Sequence, residues 1–231
     1  MNEWTTDKTE TRRLIPVCYI CGGQAPDSRD HVVPYCFFKS PRPANLLTLP
    51  AHYTCHNCLD DEYARDLLSG LGSDGSGIAK ELWKTKTKRS FERSAPLRKS
   101  AQASLVRKID LISPAGLVFD QAPALRIERN RFYPLMRKIV QGMHLYHTGE
   151  ILPPIFRSSW SLNALLELLD DRRRMLEASQ FGLVYPDVFG CRYLIVNEGA
   201  DCASVWWLCF YTDVVLRCYV PPRHFWSSLA L

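Results

Sequence analysis

The chain contains no run that approaches about eighteen consecutive apolar residues, the length that a membrane-spanning helix requires. Its first residues, Met1 to Arg13, are polar and charged and lack the apolar segment of a secretory signal peptide. The first absence argues against a helical membrane protein, and the second argues against export. We therefore expect a cytoplasmic protein without membrane contact.

Several motifs that define large enzyme classes are also missing. The chain has no phosphate-cradling glycine loop, no dinucleotide fingerprint and no nucleophile elbow. Internal repeats are absent, and the only low-complexity stretch is a short Gly/Ser segment. These absences argue against nucleotide-dependent enzymes, serine hydrolases of that type and repeat proteins.

What the chain does have is enough apolar sequence for a packed core and an uneven distribution of charge. Hydrophobic residues make up 46% of 231 residues, and the formal net charge is +5. Between Lys80 and Lys108 there are ten Lys or Arg against two Glu, so the remainder of the chain is slightly acidic. This stretch predicts a surface that contacts nucleic-acid phosphates, with Lys84, Lys86, Lys88 and Arg89 as the candidate contacts. The alternative is a solvated linker or helix face.

Nine cysteines give the most specific signal. Cys18, Cys21, Cys55 and Cys58 form two pairs, each with a two-residue gap that lets both thiolates bind one tetrahedral ion. The sequence therefore predicts one structural zinc with these four ligands. Nearby His52 and His56 are alternative ligands, although surface histidines are common. The other five cysteines cannot all pair, which fits buried free thiols better than a disulfide framework.

The overall pattern predicts an α+β protein built from four consecutive parts. These are a flexible leader at 1–13, a zinc module at 14–69, a Gly/Ser linker with a basic connector at 70–108, and an α+β region at 109–231. In the zinc module we expect a short strand at Arg29–Val33, a partner strand at Asn45–Leu49 and a helix from Leu59.

Further along the chain the pattern predicts helices and then strands. Helices are expected around Ile78–Arg93, from Pro134 to a stop at Gly149, and from about Leu162 to Leu176. Strands are expected at Cys191–Val196, Ser204–Tyr211 and Val214–Val220, with a hairpin turn at Tyr211–Asp213 joining the last two.

The order of motifs in the zinc module resembles a known family. Cys-x-x-Cys, then Asp30-His31-x-x-Pro34, then Asn45-Leu46, then Cys-x-x-Cys is similar to the zinc-stabilised HNH endonucleases of the ββα-metal class. The resemblance covers residues 14–68, about a quarter of the chain. It implies a small zinc-bound ββα-metal module, followed here by a helical region and a C-terminal antiparallel β region.

The resemblance also implies roles for individual residues. His31 matches the general base that takes a proton from the attacking water, a task that suits an imidazole. Asp30 matches the acidic residue that holds a catalytic Mg²⁺ or Mn²⁺ ion. Asn45 matches the asparagine that orients the loop and the histidine.

One position departs from the family pattern. The family has Asn or His directly after the final cysteine as the second metal ligand, and here that position is Leu59. Glu62, three residues further along a helix, is the candidate replacement. Asp60 and Asp61 are close to Glu62 in sequence, and Asn57, inside the second cysteine pair, is another candidate ligand. Alternatively, the catalytic site has decayed and the module only folds or binds.

Two functions follow from these observations. The first is a divalent-metal-dependent endonuclease that hydrolyses nucleic-acid phosphodiesters, and we expect the nucleic acid to be DNA rather than RNA. The second is a non-catalytic zinc module that binds nucleic acid or a protein partner, and Leu59 is its main support.

Overall fold

The computed structural model describes residues 17–93, 95, 98–99, 105–112, 116–125, 127–154, 156, 158–163, 170–198 and 201–222. The predicted leader at 1–13 lies outside these residues. Within them the chain is a mixed α+β structure, as the sequence predicted. No helix in the described ranges combines the length and the apolar character that crossing a membrane demands.

The first part of the chain is a β-hairpin followed by two helices. Strands β1 (Ser28–His31) and β2 (Thr48–Ala51) pair antiparallel, with Asp30 opposite Leu49. The short helix α1 (Tyr53–His56) and the longer helix α2 (Asp61–Leu71) follow. The predicted strand around residue 30 is therefore confirmed.

The partner strand begins later than the predicted Asn45, because Asn45 lies in an exposed turn. A single 3₁₀ turn, Tyr35–Phe37, follows Pro34. Helix α2 begins at Asp61, where the side chain of Asp60 accepts a hydrogen bond from the Tyr63 backbone N–H at 3.0 Å. This N-cap satisfies one of the free backbone N–H groups at the start of α2.

The basic stretch is helical, as predicted around residues 78–93. It comprises α3 (Gly77–Leu82), a π-helical turn at Trp83–Thr87 and α4 (Lys88–Arg93). The Thr87 hydroxyl donates a 2.6 Å hydrogen bond to the buried carboxylate of Asp66, which also binds Arg65. The π-turn is thereby anchored on α2.

The glycine-rich segment before α3, predicted as a linker, is a packed turn. A Cβ atom added at Gly75 would overlap the carboxylate of Asp213, and one at Gly72 would lie 3.1 Å from Tyr211 Cβ. Small residues are required here because the backbone of this segment lies against the C-terminal hairpin.

Strands β3 (Leu105–Ile112) and β4 (Val118–Leu125) form an antiparallel hairpin. The sequence pattern predicts no strands in this part of the chain. Helix α5 (Arg129–Thr148) follows and ends at Gly149, which has a φ of 77°. The predicted stop is confirmed, whereas the helix begins five residues before Pro134.

The C-terminal part is an antiparallel sheet of five strands in the order β5-β9-β8-β7-β6. Its strands are β5 (Ser159–Asn163), β6 (Gln180–Tyr185), β7 (Phe189–Glu198), β8 (Asp201–Phe210) and β9 (Val214–Val220). The three predicted strands correspond to β7, β8 and β9, and the predicted hairpin joins β8 to β9.

The helix predicted from Leu162 is wrong at its start. Leu162 lies in β5, where it is paired with Leu216 of β9, and the helix at its far end, α6, covers Asp170–Ala178. Residues 164–169 lie outside the described residues. Pairing with a neighbouring strand here prevails over the local spacing of leucines, because tertiary contacts outweigh propensity.

One hydrophobic core connects the zinc module to the C-terminal sheet. Buried residues of the module, such as Tyr19, Val32 and Phe37, belong to the same cluster as Trp206 and Phe210 of β8. The rings of Phe37 and Phe210 are 5.8 Å apart. The predicted boundary near residue 70 is thus not a break in the core.

Candidate metal centre and active site

Four side chains from two segments form one group of potential metal ligands. The sulfur atoms of Cys18, Cys21 and Cys55 and a ring nitrogen of His52 all lie within 4.8 Å of one another. Within the described residues, no other set of three or more His, Cys, Asp or Glu side chains brings its ligand atoms this close together. Three thiols and one imidazole are a common donor set of structural zinc sites.

The backbone around the first pair is shaped to support metal-bound sulfur. Gly22 adopts a φ of 72°, and its N–H donates to the Cys18 carbonyl at 2.8 Å. The Gly23 N–H donates to Cys21 Sγ and the His52 N–H donates to Cys18 Sγ, each at 3.4 Å. Such donors stabilise the negative charge of thiolates.

The orientation of the His52 ring fits metal binding. Nε2 lies 2.9 Å from the Gln24 carbonyl oxygen, which can only accept, so the proton is assigned to Nε2. Nδ1 is then the atom with a free lone pair, 3.3 Å from Cys21 Sγ and 3.9 Å from Cys55 Sγ. A ligating histidine whose other nitrogen donates to a carbonyl is the usual arrangement. The residues present therefore fit a zinc ion.

The thiols differ in acidity. Partial burial opposes ionisation of Cys21, but hydrogen bonds from the Gly23 N–H and with His52 and neighbouring thiols lower its pKa to about 7. Burial, together with the neighbouring Cys21, raises the pKa of Cys55 to about 12. One thiolate thus forms readily without a metal, whereas a second needs a nearby cation.

Cys58, predicted as the fourth ligand, lies outside this group. It is exposed, and its Sγ is 3.5 Å from the Cys55 carbonyl oxygen. His52 is the N-cap of α1 and Cys55 lies three residues later, so both side chains face the first cysteine pair. The helix ends at His56, and the chain turns away before Cys58. The two-residue gap at the site is therefore His52-x-x-Cys55.

Asp30 of β1 is buried beside this centre, and its two oxygens have different neighbours. Oδ2 accepts a 2.5 Å hydrogen bond from the Tyr19 hydroxyl and lies 2.8 Å from Lys138 Nζ. Oδ1 lies 3.8 Å from Nδ1 of His56, whose Nε2 is 3.1 Å from the Ser28 hydroxyl. Oδ1 and His56 Nδ1 thus face each other across a gap.

His31 follows Asp30 on β1 and is half-buried. Its ring lies 5.4 Å from the exposed ring of Tyr35. Burial lowers the pKa of His31, Asp30 opposes that shift, and Lys138 adds to it. The imidazole is therefore neutral at neutral pH, as a general base must be.

The other predicted site residues are more exposed than Asp30. Asn45 is in an exposed turn. The Glu62 side chain is 79% exposed, with its Oε1 3.8 Å from Arg65 Nη1, whereas the Asp30 side chain is buried. Leu59 packs against the core.

Asp61, rather than Glu62, lies close to the charged side chains of Asp30 and Lys138. Burial raises the pKa of Asp61 to about 6; Lys138 lowers it, and Asp30 raises it further. Its Oδ1 is buried without a hydrogen-bond partner in the described part of the chain. Helix α2 starts at Asp61, after its N-cap Asp60, and the Glu62 side chain is exposed, which the sequence did not reveal.

The predicted phosphate-contacting residues lie together on the π-turn and α4. Lys84, Lys88 and Arg89 are exposed, and Lys86 is half-buried with its Nζ 3.4 Å from the Phe38 carbonyl oxygen. Burial lowers the pKa of Lys86, and Arg65 and Arg42 add to the shift.

The sequence pattern does not predict that three residues, His56, Tyr19 and Lys138, surround Asp30. It suggests His56 only as an alternative zinc ligand, although His56 directly follows Cys55. Tyr19 and Lys138 carried no signal, and Lys138 is more than a hundred residues from Asp30 in sequence. No family model, curated protein or solved structure matches the chain, so these assignments depend on its own geometry.

Proposed function

We propose that the protein is a divalent-metal-dependent endonuclease that hydrolyses nucleic-acid phosphodiester bonds, with DNA rather than RNA as the expected substrate. The observation that carries this proposal is the 3.8 Å separation of Asp30 Oδ1 and His56 Nδ1, next to a neutral His31. One carboxylate oxygen and one imidazole nitrogen are suitable ligands for a single Mg²⁺ or Mn²⁺ ion.

The Cys₃His group supports this proposal because it changes the alignment with the HNH pattern. If Cys55 is the final zinc ligand, the residue directly after it is His56 and not Leu59. The resemblance has Asn or His at that position as the second metal ligand. The departure at Leu59 then disappears, and Glu62 is not needed as a replacement.

The proposed chemistry divides between the bound ion and the side chains. When bound, the ion would stabilise the negative charge of the phosphate and the leaving oxygen. Asp30 and His56 would hold it, and Tyr19 fixes the Asp30 carboxylate through Oδ2. His31 would take the proton from the attacking water.

The surface near His31 supports a nucleic-acid substrate. Tyr35, whose ring contacts His31, is 47% exposed, and the Arg42 guanidinium lies 3.7 Å from the centre of that ring. An exposed aromatic ring beside a cation can contact both bases and phosphates. The basic residues of the π-turn and α4 add sequence-independent affinity.

The second candidate is a non-catalytic zinc module that binds nucleic acid or a protein partner. It is favoured by the ion pair of Asp30 with Lys138, which already neutralises the carboxylate. It is also favoured by the lack, across the described residues, of a third carboxylate or imidazole within ligand distance of Asp30 and His56.

A plasmid-nicking assay with Mg²⁺ or Mn²⁺ distinguishes the two functions. We expect wild-type protein to cleave, and His31→Ala to lose about a hundredfold to ten-thousandfold in rate because the base is removed. Asp30→Asn and His56→Ala should lose cleavage and still bind DNA. Glu62→Ala is the control and should cleave at the wild-type rate.

Zinc content and thermal unfolding show whether each variant is folded, and a parallel assay on RNA tests substrate preference. Wild-type protein that cleaves neither substrate would favour the binding module. Cleavage that survives His31→Ala would contradict the proposed site.

A further inference from the structure

Helix α5 contributes a buried cation to the candidate site. The Lys138 side chain is 1% exposed, and its Nζ lies 2.8 Å from Asp30 Oδ2. Nζ makes no aligned hydrogen bond with any residue in the described ranges, so its contact with Asp30 is chiefly electrostatic. A buried ammonium is stable only beside a negative charge, and Asp30 provides it.

The position of this ammonium is fixed by the packing of α5 on the zinc module. Gly142 lies one turn after Lys138 and packs against Val32, the residue that follows β1. A Cβ atom added at Gly142 would be 2.7 Å from Val32 Cγ2. The Gln141 side-chain amide donates to the Ile20 carbonyl at 3.0 Å. These two contacts, with Ile20 between the first two cysteines and with Val32 directly after β1, hold the backbone of α5 against the zinc module and thereby place Lys138 beside Asp30.

The ammonium and a divalent ion would share one carboxylate. Lys138 is at Oδ2, and the proposed ion would lie between Oδ1 and His56 Nδ1. Two cations on the same buried carboxylate repel each other strongly, because few water molecules screen them. The negative charge of a substrate phosphate would reduce this repulsion.

We infer that Lys138 is a resident counter-ion of Asp30 that weakens divalent-metal binding in the free protein, so that tight metal binding requires a phosphate-bearing substrate. This inference rests on the proposed metal ligands Asp30 and His56. Helix α5, which lies outside the zinc module, would then control when the divalent ion binds.

The test is a titration of the zinc-loaded full chain with Mn²⁺, followed by electron paramagnetic resonance. Lys138→Met removes the charge and keeps the length of the side chain, so we expect Mn²⁺ to bind at least about tenfold more tightly. Lys138→Arg keeps the charge and should bind Mn²⁺ as the wild type does. Asp30→Asn should abolish Mn²⁺ binding at this site, both in the wild-type chain and in the Lys138→Met variant.

The same titration on wild-type protein with a short oligonucleotide tests whether a phosphate-bearing substrate tightens metal binding. We expect Mn²⁺ to bind about tenfold more tightly with the oligonucleotide, after subtraction of the signal from Asp30→Asn protein with the same oligonucleotide. If Lys138→Met does not fold, Lys138→Gln replaces it, because its amide can still donate to Oδ2.

Two outcomes would overturn the inference: folded, uncharged variants at position 138 that bind Mn²⁺ no more tightly than wild type, or wild-type binding that the oligonucleotide leaves unchanged. Its failure is distinguishable from that of the proposed function. Cleavage that depends on His31 without any effect of Lys138 on Mn²⁺ affinity contradicts only the inference. The expected Mn²⁺ differences in a protein that cleaves nothing contradict only the nuclease.

Discussion

His52 and Cys58 are both within three residues of Cys55, but helix α1 directs only His52 toward Cys18 and Cys21. The His52 ring is oriented by the Gln24 carbonyl, whereas Cys58 is exposed after the helix has ended. At the scale of single residues, this difference decides which side chain completes the group of potential metal ligands and hence which residue would follow the last ligand.

The first prediction concerns zinc stoichiometry. Wild-type protein and Cys58→Ser should each contain one zinc per chain, whereas His52→Ala and Cys55→Ser should contain less and unfold at lower temperature. Metal analysis by mass spectrometry and thermal unfolding measure both effects. Loss of zinc from Cys58→Ser, with zinc retained in His52→Ala, would instead support the predicted site of four cysteines.

The second prediction uses the buried carboxylate of Asp61. Its folded-state pKa of about 6 lies above its ordinary value of 3.8, so folding disfavours the ionised form, and the cost grows as the pH rises through this range. Asp61→Asn should therefore increase the free energy of unfolding at pH 7 by about 1–2 kcal/mol, after a small loss of helix-dipole stabilisation.

Urea unfolding between pH 5 and 7.5, without added Mg²⁺ or Mn²⁺, measures this gain, which should shrink toward pH 5 as native Asp61 takes up a proton. Glu62→Gln is the matched control: it neutralises an exposed carboxylate and should change stability by less than about 0.5 kcal/mol. An equal gain in the free energy of unfolding from both variants would contradict the burial of the Asp61 carboxylate.

At the scale of elements, the hairpin β1–β2 and helix α1 bring the two halves of the site together. Antiparallel pairing puts Ser28 opposite Ala51, next to the start of α1, and this brings His56 back over Asp30. The basic π-turn and α4 are separately attached to α2 through Thr87 and Asp66. The proposed metal ligands Asp30 and His56 and the proposed nucleic-acid contacts thus lie on different elements.

The third prediction tests those contacts. Lys88→Ala with Arg89→Ala should weaken binding about evenly across DNA sequences, and should reduce the slope of log affinity against log salt by up to about 0.9 per lost phosphate contact. Fluorescence anisotropy at several salt concentrations measures both quantities. Removal of two other exposed charges, Arg129 and Arg174, is the matched control and should have a smaller effect.

At the scale of the whole molecule, the zinc module, α5 and the C-terminal sheet share one core. Helix α5 connects them, because Gly142 contacts Val32 of the module, while Met143 contacts Cys191 of the sheet with the two sulfurs 3.8 Å apart. The helix also carries Lys138. A change in the packing of α5 should therefore affect the zinc module as well.

The fourth prediction follows from the close approach of Gly142. Gly142→Ala should lower the free energy of unfolding by about 1–3 kcal/mol, because the new methyl group overlaps Val32. Val32→Ala should recover part of this loss in the double variant. Gly77→Ala, where an added Cβ meets no atom within 4 Å, is the control and should be nearly neutral. If the effects of Gly142→Ala and Val32→Ala on stability simply add in the double variant, the contact between the two residues is contradicted.

Local sequence signals predicted the α+β class, strands β7 to β9, the basic helix, the stop at Gly149 and three of the four grouped metal ligands. Each depends on residues close together in sequence, such as a two-residue gap between ligands or a run of β-branched and aromatic side chains. Short-range geometry fixes these features, so the sequence by itself determines them.

Other features arose only from contacts between distant segments. Leu162 became a strand residue because β9 was available for pairing, and the glycine-rich segment became a packed turn because the β8–β9 hairpin lies against it. His56 faces Asp30 because of the hairpin register, and Lys138 reaches Asp30 because α5 docks through Gly142. Tertiary structure alone decided these contacts, because their energies depend on distances that no local pattern encodes.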